Sequence, residues 1–487
     1  MKSPEIESRR RHRQTLGLAL GVVVFVAMSM APPPSGLELA GWRVAAVTLL
    51  MAILWMTEAV PLAATALLPL ALFPLLGVAK IDEVAAPYAN PLVFLFLGGF
   101  LIALSIERWN LHRRIALTVI HRVGSREDFQ IGGFMLATAA ISMWVSNTAT
   151  TIMMLPVALS IIPRDARGAV DPPKQEFASA LLLAVAYGAS IGGVATLVGT
   201  PPNALFAGFM LETYDIQIGF GQWMLIGVPV SVLMLAICWI LLTRCLYAIG
   251  RQEAPGAREG IRQTLHEMGP ASSAEKRTAV VFAITAALWL LRPLLSHQFP
   301  ALQLSDTSIA IAGALSLFVI PTGLQRGQFL LSWEYAERLP WGVLLLFGGG
   351  LTLASSISGS GLADWIGAQL TGLDAWPVVL LVAVVTVMVV LFSELASNTA
   401  TAATFLPVVA ALAMSAGHDP LRLVVPTALA ASLGFMLPVA TPPNAIVFGS
   451  GYVTVPQMLR AGGWLDLAGA AVIVGSAWLL LGAVFEI

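Results

Sequence analysis

Long apolar stretches separated by short polar segments run through most of this chain. About 20 helical residues cross the hydrocarbon core of a bilayer, so an apolar stretch of that length predicts a transmembrane helix. The pattern predicts segments near 16–34, 42–58, 60–78, 91–121, 130–162, 177–211, 223–246, 277–296, 308–322, 339–360, 376–411, 423–452 and 464–485. Segments 130–162 and 376–411 exceed one crossing but are shorter than two crossings and a turn, which indicates re-entrant hairpins.

Composition supports an all-α polytopic membrane protein. Hydrophobic residues make up 57% of the 487 residues and charged residues only 11%, whereas soluble domains carry roughly 25% charged residues. The expected surroundings are therefore the lipid bilayer, and the net charge of −1 gives no reason to expect nucleic acid as a partner. The two cysteines, Cys238 and Cys245, lie on one apolar segment and its end and are interpreted as packing residues.

Basic residues predict the orientation. Four arginines precede the first apolar run, and Pro32–Pro34 follow it directly, so we interpret that run as an uncleaved first span with a cytoplasmic N-terminus. With both hairpins returning to their own side, 22 of the 26 Lys and Arg residues fall on the cytoplasmic side. The remaining four are Arg43, Lys80, Arg292 and Arg422. This positive-inside distribution predicts eleven crossings in an inner (plasma) membrane, with an extracytoplasmic C-terminus.

Two motifs occur twice. Ser146–Thr150 and Ser397–Thr401 both read Ser-Asn-Thr-Ala-Thr, and Thr-Pro-Pro-Asn-Ala recurs at 200–204 and 441–445. The first hairpin is flanked by basic residues and the second mainly by acidic or neutral ones, so the halves are predicted to form an inverted repeat, which is typical of secondary transporters. The flanking residues are Arg122, Arg126, Arg164 and Arg167 for the first hairpin, and Asp374, His418 and Asp419 for the second, beside Arg422.

The repeats divide the chain into four parts. The prediction is an N-terminal tail and first span (1–41), a first repeat (42–249), a cytoplasmic linker (250–276) and a second repeat (277–487). Each repeat contains one hairpin (130–162 or 376–411) and one broken helix (177–211 or 423–452).

The motifs offer ligands for an anion and for a small cation. A helix that begins at Ser-Asn-Thr presents hydroxyl, amide and backbone N–H donors to negative charge. Thr-Pro-Pro-Asn breaks a helix and frees carbonyl oxygens, which suit sodium. The ranges 127–163, 177–211, 376–417 and 423–459 contain no Lys, Arg or His. A dianion buried there has no protein cation to offset its charge, so co-bound Na⁺ is expected.

Structural interpretations stand beside these functional ones. Ser-Asn-Thr can simply cap two buried helices, and the Pro-Pro breaks can be packing kinks. Glu394 can carry a proton or serve as a structural carboxylate, and Glu58 poses the same question. An enzyme is not expected, because the sequence has neither His-Glu-x-x-His nor Gly-x-Ser-x-Gly nor a carboxylate cluster at membrane depth. A channel remains the other alternative.

Both repeated motifs, together with Trp55-Met-Thr-Glu-Ala-Val-Pro61, resemble the divalent anion/sodium symporter family from about Trp42 to the C-terminus. The resemblance implies a homodimer of scaffold and transport domains that moves in elevator fashion. It also implies that Asn147, Thr148, Asn398 and Thr399 bind the substrate carboxylates. The implied sodium ligands are Ser142, Ser146, Asn147 and Gly199 for the first site, and Ser393, Ala396, Asn398 and Ala440 for the second.

The resulting prediction is a sodium-coupled symporter of C4-dicarboxylates such as succinate, malate and fumarate, with no organic cofactor. The candidate substrate-binding residues are Ser146, Asn147, Thr148, Ser397, Asn398, Thr399, Thr200, Pro201, Thr441 and Pro442. Two alternatives within transport stay open, namely sodium-independent exchange of dicarboxylates and a permease for sulfate or another inorganic anion.

Overall fold

The computed structural model describes residues 4–162, 174–247, 249–250, 257–323, 327–369 and 376–485. In these ranges the chain consists of helices joined by turns and loops, with a single isolated bridge between Pro321 and Phe329. The first part of the chain forms α1 (Pro4–Met30), α2 (Leu39–Thr57), α3 (Leu62–Thr65), α4 (Leu68–Leu75), α5 (Ile81–Ala85), α6 (Pro91–Arg108), α7 (Leu111–Val123), α8 (Glu127–Ser142), α9 (Asn147–Ile161), α10 (Gln175–Val194), α11 (Pro201–Tyr214) and α12 (Phe220–Ile240).

The second part forms α13 (Ala257–Glu267), α14 (Ser273–Gln298), α15 (Asp306–Val319), α16 (Trp333–Ala336), α17 (Trp341–Gly359), α18 (Leu362–Gln369), α19 (Val378–Leu395), α20 (Asn398–Ser415), α21 (Leu421–Ala430), α22 (Pro442–Gly449) and α23 (Val455–Phe485). A π-helical turn, Leu241–Leu246, extends α12, and short 3₁₀ turns occupy Ala86–Ala89 and Pro300–Leu302. Ten helices in the described ranges are long and apolar enough to cross a membrane.

The predicted hairpins and broken helices are present. Segment 130–162 folds as α8 and α9, and segment 376–411 as α19 and α20; the helices of each pair pack against each other. Segment 177–211 is broken between α10 and α11, and segment 423–452 between α21 and α22. Arg164, Arg167 and Asp374, which contributed to the predicted orientation, lie outside the described residues.

Two predicted segments differ in detail. Segment 91–121 is not one helix, because Asn110 adopts a left-handed conformation (φ 56°) and separates α6 from α7. Segment 60–78 contains the two short helices α3 and α4. The polar linker predicted at 250–276 contains α13, and α14 begins inside it at Ser273.

Charged residues gather at one end of the helix bundle. Asp128 is fully buried and accepts from two guanidinium groups at 2.8 Å, those of Arg126 and Arg244. Lys174 pairs with Glu127 at 2.5 Å, and Arg114 pairs with Glu275 at 2.8 Å. These contacts join three stretches (108–126, 163–176 and 244–277) that the sequence places on the same side of the membrane.

A second group of polar contacts marks the other end. Arg292 pairs with Asp306 at 2.8 Å, and Asp306 also accepts from the backbone N–H of Phe220 at 2.8 Å. Gln222 donates to the carbonyl of Val484 at 3.1 Å. Phe220 and Arg244 therefore mark opposite ends of α12 and its extension, whose 21 α-helical residues alone span about 31 Å.

The two hairpins enter from these opposite ends. The first hairpin begins near Asp128, which pairs with Arg244 at one end of the bundle. The second hairpin begins beside the C-terminal part of α23, which contacts Gln222 at the other end of the bundle. The halves also pack reciprocally, since α11 contacts α20 and α22 contacts α9. The chain therefore forms an inverted repeat in which the second half of each broken helix lies against the hairpin of the other repeat.

Candidate functional site

Each hairpin tip is closed by the same side-chain hydrogen bond. Ser142 Oγ donates to Asn147 Oδ1 at 2.6 Å, and Ser393 Oγ donates to Asn398 Oδ1 at 2.9 Å. Both serines are fully buried, while both asparagines are partly exposed. The bond fixes the amide through its oxygen, so the two N–H groups of each amide remain available to an acceptor.

The first turns of α9 and α20 present further donors. Ser146 is exposed and its hydroxyl accepts from the Ala149 N–H at 3.2 Å, whereas Ser397 forms no such cap. The hydroxyls of Thr148 and Thr399 make no hydrogen bond with the described residues. Unpaired N–H groups and free hydroxyls at a helix N-terminus favour an anion.

The break in the first repeat is organised by Asn203. Its amide nitrogen donates to the carbonyls of Val194 at 3.1 Å and Thr196 at 2.7 Å, and lies 3.3 Å from that of Gly193. Thr196 in turn donates to the Met143 carbonyl at 2.5 Å, which ties the break to the hairpin tip. Asn203 is fully buried, and its amide holds the unwound carbonyls in place.

The second repeat copies this arrangement. Asn444 Nδ2 donates to the carbonyls of Gly434 and Leu437, both at 3.0 Å. These carbonyls lie ten and seven residues before Asn444. The same spacings separate Gly193 and Thr196 from Asn203. Thr441 caps α22 by accepting from the Asn444 N–H at 3.3 Å, whereas Thr200 makes no corresponding cap on α11.

Three of the four residues predicted as ligands of the first sodium site, Ser142, Asn147 and Gly199, lie close together. A Cβ atom added at Gly193 would lie 2.5 Å from Asn147 Oδ1 and 3.0 Å from the Gly199 carbonyl oxygen. Only glycine at position 193 therefore lets these two oxygens lie so close to the backbone. Ser142 Oγ is already bonded to the same Asn147 oxygen. A hydroxyl, an amide oxygen and a carbonyl thus lie close together, which is a ligand set suited to a small hard cation.

Some of the residues predicted for the second sodium site are neighbours in the structure. Ser393 Oγ lies 2.8 Å from the Ala431 carbonyl as well as 2.9 Å from Asn398 Oδ1, and its single proton is shared between these two acceptors. A Cβ on Gly434 would lie 3.4 Å from the Ala440 side chain and 3.5 Å from the Ser393 carbonyl oxygen, so these residues are neighbours. Ala396 ends α19 in an extended conformation, directly before the Ser-Asn-Thr turn.

Glu394 has a structural environment. Its two carboxylate oxygens accept from the backbone N–H groups of Met436 and Leu437, each at 2.9 Å. The carboxylate therefore replaces the missing helical carbonyls of the broken segment, which supports the structural interpretation of this residue. Glu58 ends α2 in a left-handed conformation (φ 50°), and its carbonyl accepts from Gln14 at 2.9 Å.

Sequence reasoning missed Asp466 and the role of the paired asparagines. Asp466 on α23 is buried and interacts with Glu394, but neither of its oxygens makes a hydrogen bond of ordinary geometry with the described residues. No periodic signal distinguished this acid within an apolar helix. Asn203 and Asn444 carried a signal, the repeated Thr-Pro-Pro-Asn, but only the tertiary structure shows that their amides hold the carbonyls.

Among the described residues of the hairpin tips and helix breaks, none is basic. Among the described residues, no group of three or more His, Cys, Asp or Glu side chains comes together. The ionisable side chains beside the second break are the acids Glu394 and Asp466.

Comparisons with known proteins bear on the family and the fold of this chain. The sequence profile described as "Sodium:sulfate symporter transmembrane region" matches residues 12–484. The chain is 41% identical over 480 residues to the sodium-dependent dicarboxylate transporter SdcS of Staphylococcus saprophyticus, covering 97% of this chain and 92% of that protein. The corresponding protein of Staphylococcus aureus is 40% identical over 468 residues, covering 95% and 90%.

Two solved structures share the fold at low sequence identity. The YdaH transporter of Alcanivorax borkumensis superposes with a TM-score of 0.56 at 14% identity, covering 97% of both chains. MtrF of Neisseria gonorrhoeae gives a TM-score of 0.58 at 14% identity, covering 95% of this chain and 94% of that one. The resemblance inferred from the repeated motifs is confirmed: this chain belongs to the sodium:sulfate symporter family.

Proposed function

We propose that this chain is a sodium-coupled symporter of C4-dicarboxylates. The observation that carries the proposal is the pair of matched hairpin tips, in which a buried serine orients Asn147 and Asn398. Two donor groups related by the inverted repeat suit a substrate with a carboxylate at each end. The similar staphylococcal proteins, named as sodium-dependent dicarboxylate transporters, support this substrate class.

Substrate binding is assigned to both tips. The amide N–H groups of Asn147 and Asn398 and the hydroxyls of Thr148 and Thr399 would donate to the carboxylates, assisted by Ser146 and Ser397. The ends of the broken helices, at Thr200-Pro201 and Thr441-Pro442, would border the same space because each packs against the hairpin of the other repeat.

Sodium is assigned to the oxygen-rich side of each tip. Ser142, Ser146, Asn147 and Gly199 would hold one ion, and Ser393, Ala396, Asn398 and Ala440 the other. In each site the asparagine would bind sodium through its oxygen and substrate through its nitrogen. Because one side chain contacts both solutes, binding of either one orients the amide for the other, which supplies a physical basis for coupling.

The proposal includes the cellular arrangement. The chain would lie in the inner membrane with its N-terminus in the cytoplasm and its C-terminus outside, following the distribution of Lys and Arg. It would act as a homodimer in which the hairpins and broken helices move together relative to a scaffold, in elevator fashion. The reciprocal packing of α11 on α20 and of α22 on α9 favours movement of this group as one body.

Uptake of radiolabelled succinate into proteoliposomes tests the proposal. An inward sodium gradient is compared with potassium or choline at matched ionic strength, with fumarate or malate as competitors. The expected result is uptake that requires sodium and is suppressed by both competitors. Uptake driven by internal dicarboxylate regardless of sodium would instead indicate exchange, and sulfate transport without succinate transport would indicate an inorganic anion permease.

A further inference from the structure

A cleft opens between α19 and α23 at the base of the second hairpin. It has a volume of about 220 Å³, and most of its lining residues are apolar, including Val378, Val382, Val474, Trp478 and Leu481. Trp478 is 69% exposed, so the cleft opens onto the outer surface of the helix bundle. In a membrane protein, that surface faces lipid or another protein rather than water.

One charged side chain, Arg422 at the start of α21, lines this apolar cleft. Arg422 is partly buried and makes no side-chain hydrogen bond or ion pair with the described residues. Asp419 lies three residues away, but its carboxylate accepts from the Leu421 N–H at 2.8 Å. A partly buried guanidinium without a partner is costly unless an anion binds it.

Three other basic residues are predicted on the extracytoplasmic side, and their environments differ from that of Arg422. Arg292 is paired with Asp306 at 2.8 Å, and Arg43 donates to the Leu76 carbonyl at 2.5 Å. Lys80 is exposed. Among these four residues, Arg422 alone lines a described apolar cleft.

The cleft lies at one end of the helix bundle. It is bordered by the N-terminal ends of α19 and α21 and by the C-terminal part of α23, which all lie at the same end of the bundle. Trp376 is 41% exposed just before α19 begins, and Trp478 is exposed on α23. Tryptophans and arginines at helix ends are typical of the membrane interface.

We propose that this cleft is a binding site for an anionic phospholipid. The headgroup phosphate would accept hydrogen bonds from the guanidinium of Arg422, and an acyl chain would lie along the valines and Leu481. The lipid would contact both the second hairpin and α23. This assignment follows from charge and shape at the outer surface and does not depend on which solute the protein transports.

Native mass spectrometry of the full-length protein in detergent tests the site. Phosphatidylglycerol and phosphatidylcholine with identical acyl chains are added separately, and the bound fraction is measured. Wild type is expected to retain phosphatidylglycerol more strongly. Arg422→Gln should lower its apparent affinity about tenfold, because a charge-assisted contact to phosphate is lost, and should leave phosphatidylcholine unchanged.

Two further variants separate the cleft from general surface charge. Lys80→Gln removes an exposed cation elsewhere and should bind phosphatidylglycerol as wild type does. Ala477→Phe keeps Arg422 but fills part of the cleft, and should also weaken lipid binding. Equal phosphatidylglycerol binding by wild type and Arg422→Gln would overturn the proposal. So would retention of oleate in preference to phosphatidylglycerol, or displacement of lipid from this face by a second copy of the chain.

Discussion

Ser393 Oγ lies 2.9 Å from Asn398 Oδ1 across the tip of the second hairpin and 2.8 Å from the Ala431 carbonyl, so its single proton is shared between these two acceptors. The hydroxyl therefore links the tip to the broken helix beside it. In the first repeat, the bond from Ser142 to Asn147 is matched by a separate link from Thr196 to the Met143 carbonyl. In both halves, the residue proposed to bind substrate is positioned by a residue proposed to bind sodium.

The first prediction concerns the asparagines at the tips. Asn147→Ala or Asn398→Ala should reduce sodium-driven succinate uptake at least tenfold, since each removes donors to a carboxylate worth about 1.5–3 kcal/mol together with a sodium ligand. Uptake into proteoliposomes is measured alongside gel filtration of the purified variant. Ser160→Ala, in the same hairpin but away from the tip, serves as the matched control. Near-normal uptake by either asparagine variant would remove that tip from the binding site.

A second prediction separates sodium binding from substrate binding. Ser142→Ala and Ser393→Ala should each raise the sodium concentration that gives half-maximal uptake several-fold, because a hydroxyl ligand is lost. Ser393→Thr keeps the hydroxyl and should restore a sodium dependence close to that of wild type. Uptake is measured over a sodium series at saturating succinate. A sodium dependence identical in wild type and both alanine variants would contradict the assigned ligands.

The third prediction concerns Asn203 and Asn444, which hold the unwound carbonyls. Each is fully buried and donates to two or more carbonyls at 2.7–3.3 Å. Replacement by alanine leaves these acceptors unpaired, which should lower the free energy of unfolding by about 2–4 kcal/mol. Thermal unfolding in detergent without sodium or succinate measures the loss. If the Asn203→Ala and Asn444→Ala variants are as stable as Asn147→Ala, the asparagines at the breaks do not stabilise the fold more than the asparagine at the tip, and the prediction is wrong.

A fourth prediction distinguishes the two interpretations of Glu394. Glu394→Gln keeps the shape but replaces one oxygen acceptor with an N–H₂ donor that faces a backbone N–H. The expected result is a loss of about 1–3 kcal/mol in stability. A pH gradient should not drive succinate uptake by wild type at equal sodium on both sides. If a pH gradient drives uptake and Glu394→Gln abolishes that uptake, the residue is a proton carrier.

Local sequence was sufficient to predict much of the architecture. The hairpins and breaks were predictable because membrane thickness sets the length of a crossing helix and proline cannot continue one. The opposite entry of the hairpins could be predicted because arginine and lysine are retained on one side of the membrane. The division at Asn110 was not predictable, since a non-glycine residue in the left-handed region leaves no clear pattern in an apolar stretch.

The sequence by itself determined the repeated motifs, the absence of basic residues near them and the family, because these depend only on the order of residues. Only the tertiary structure decided which atoms meet. Asn147, Gly193 and Gly199 meet only in the folded chain. The carbonyls of the two breaks accept hydrogen bonds from Asn203 and Asn444, and the carboxylate of Glu394 accepts from two backbone N–H groups. Such contacts join residues that are distant along the chain, and a buried polar group finds its partner only when the helices pack.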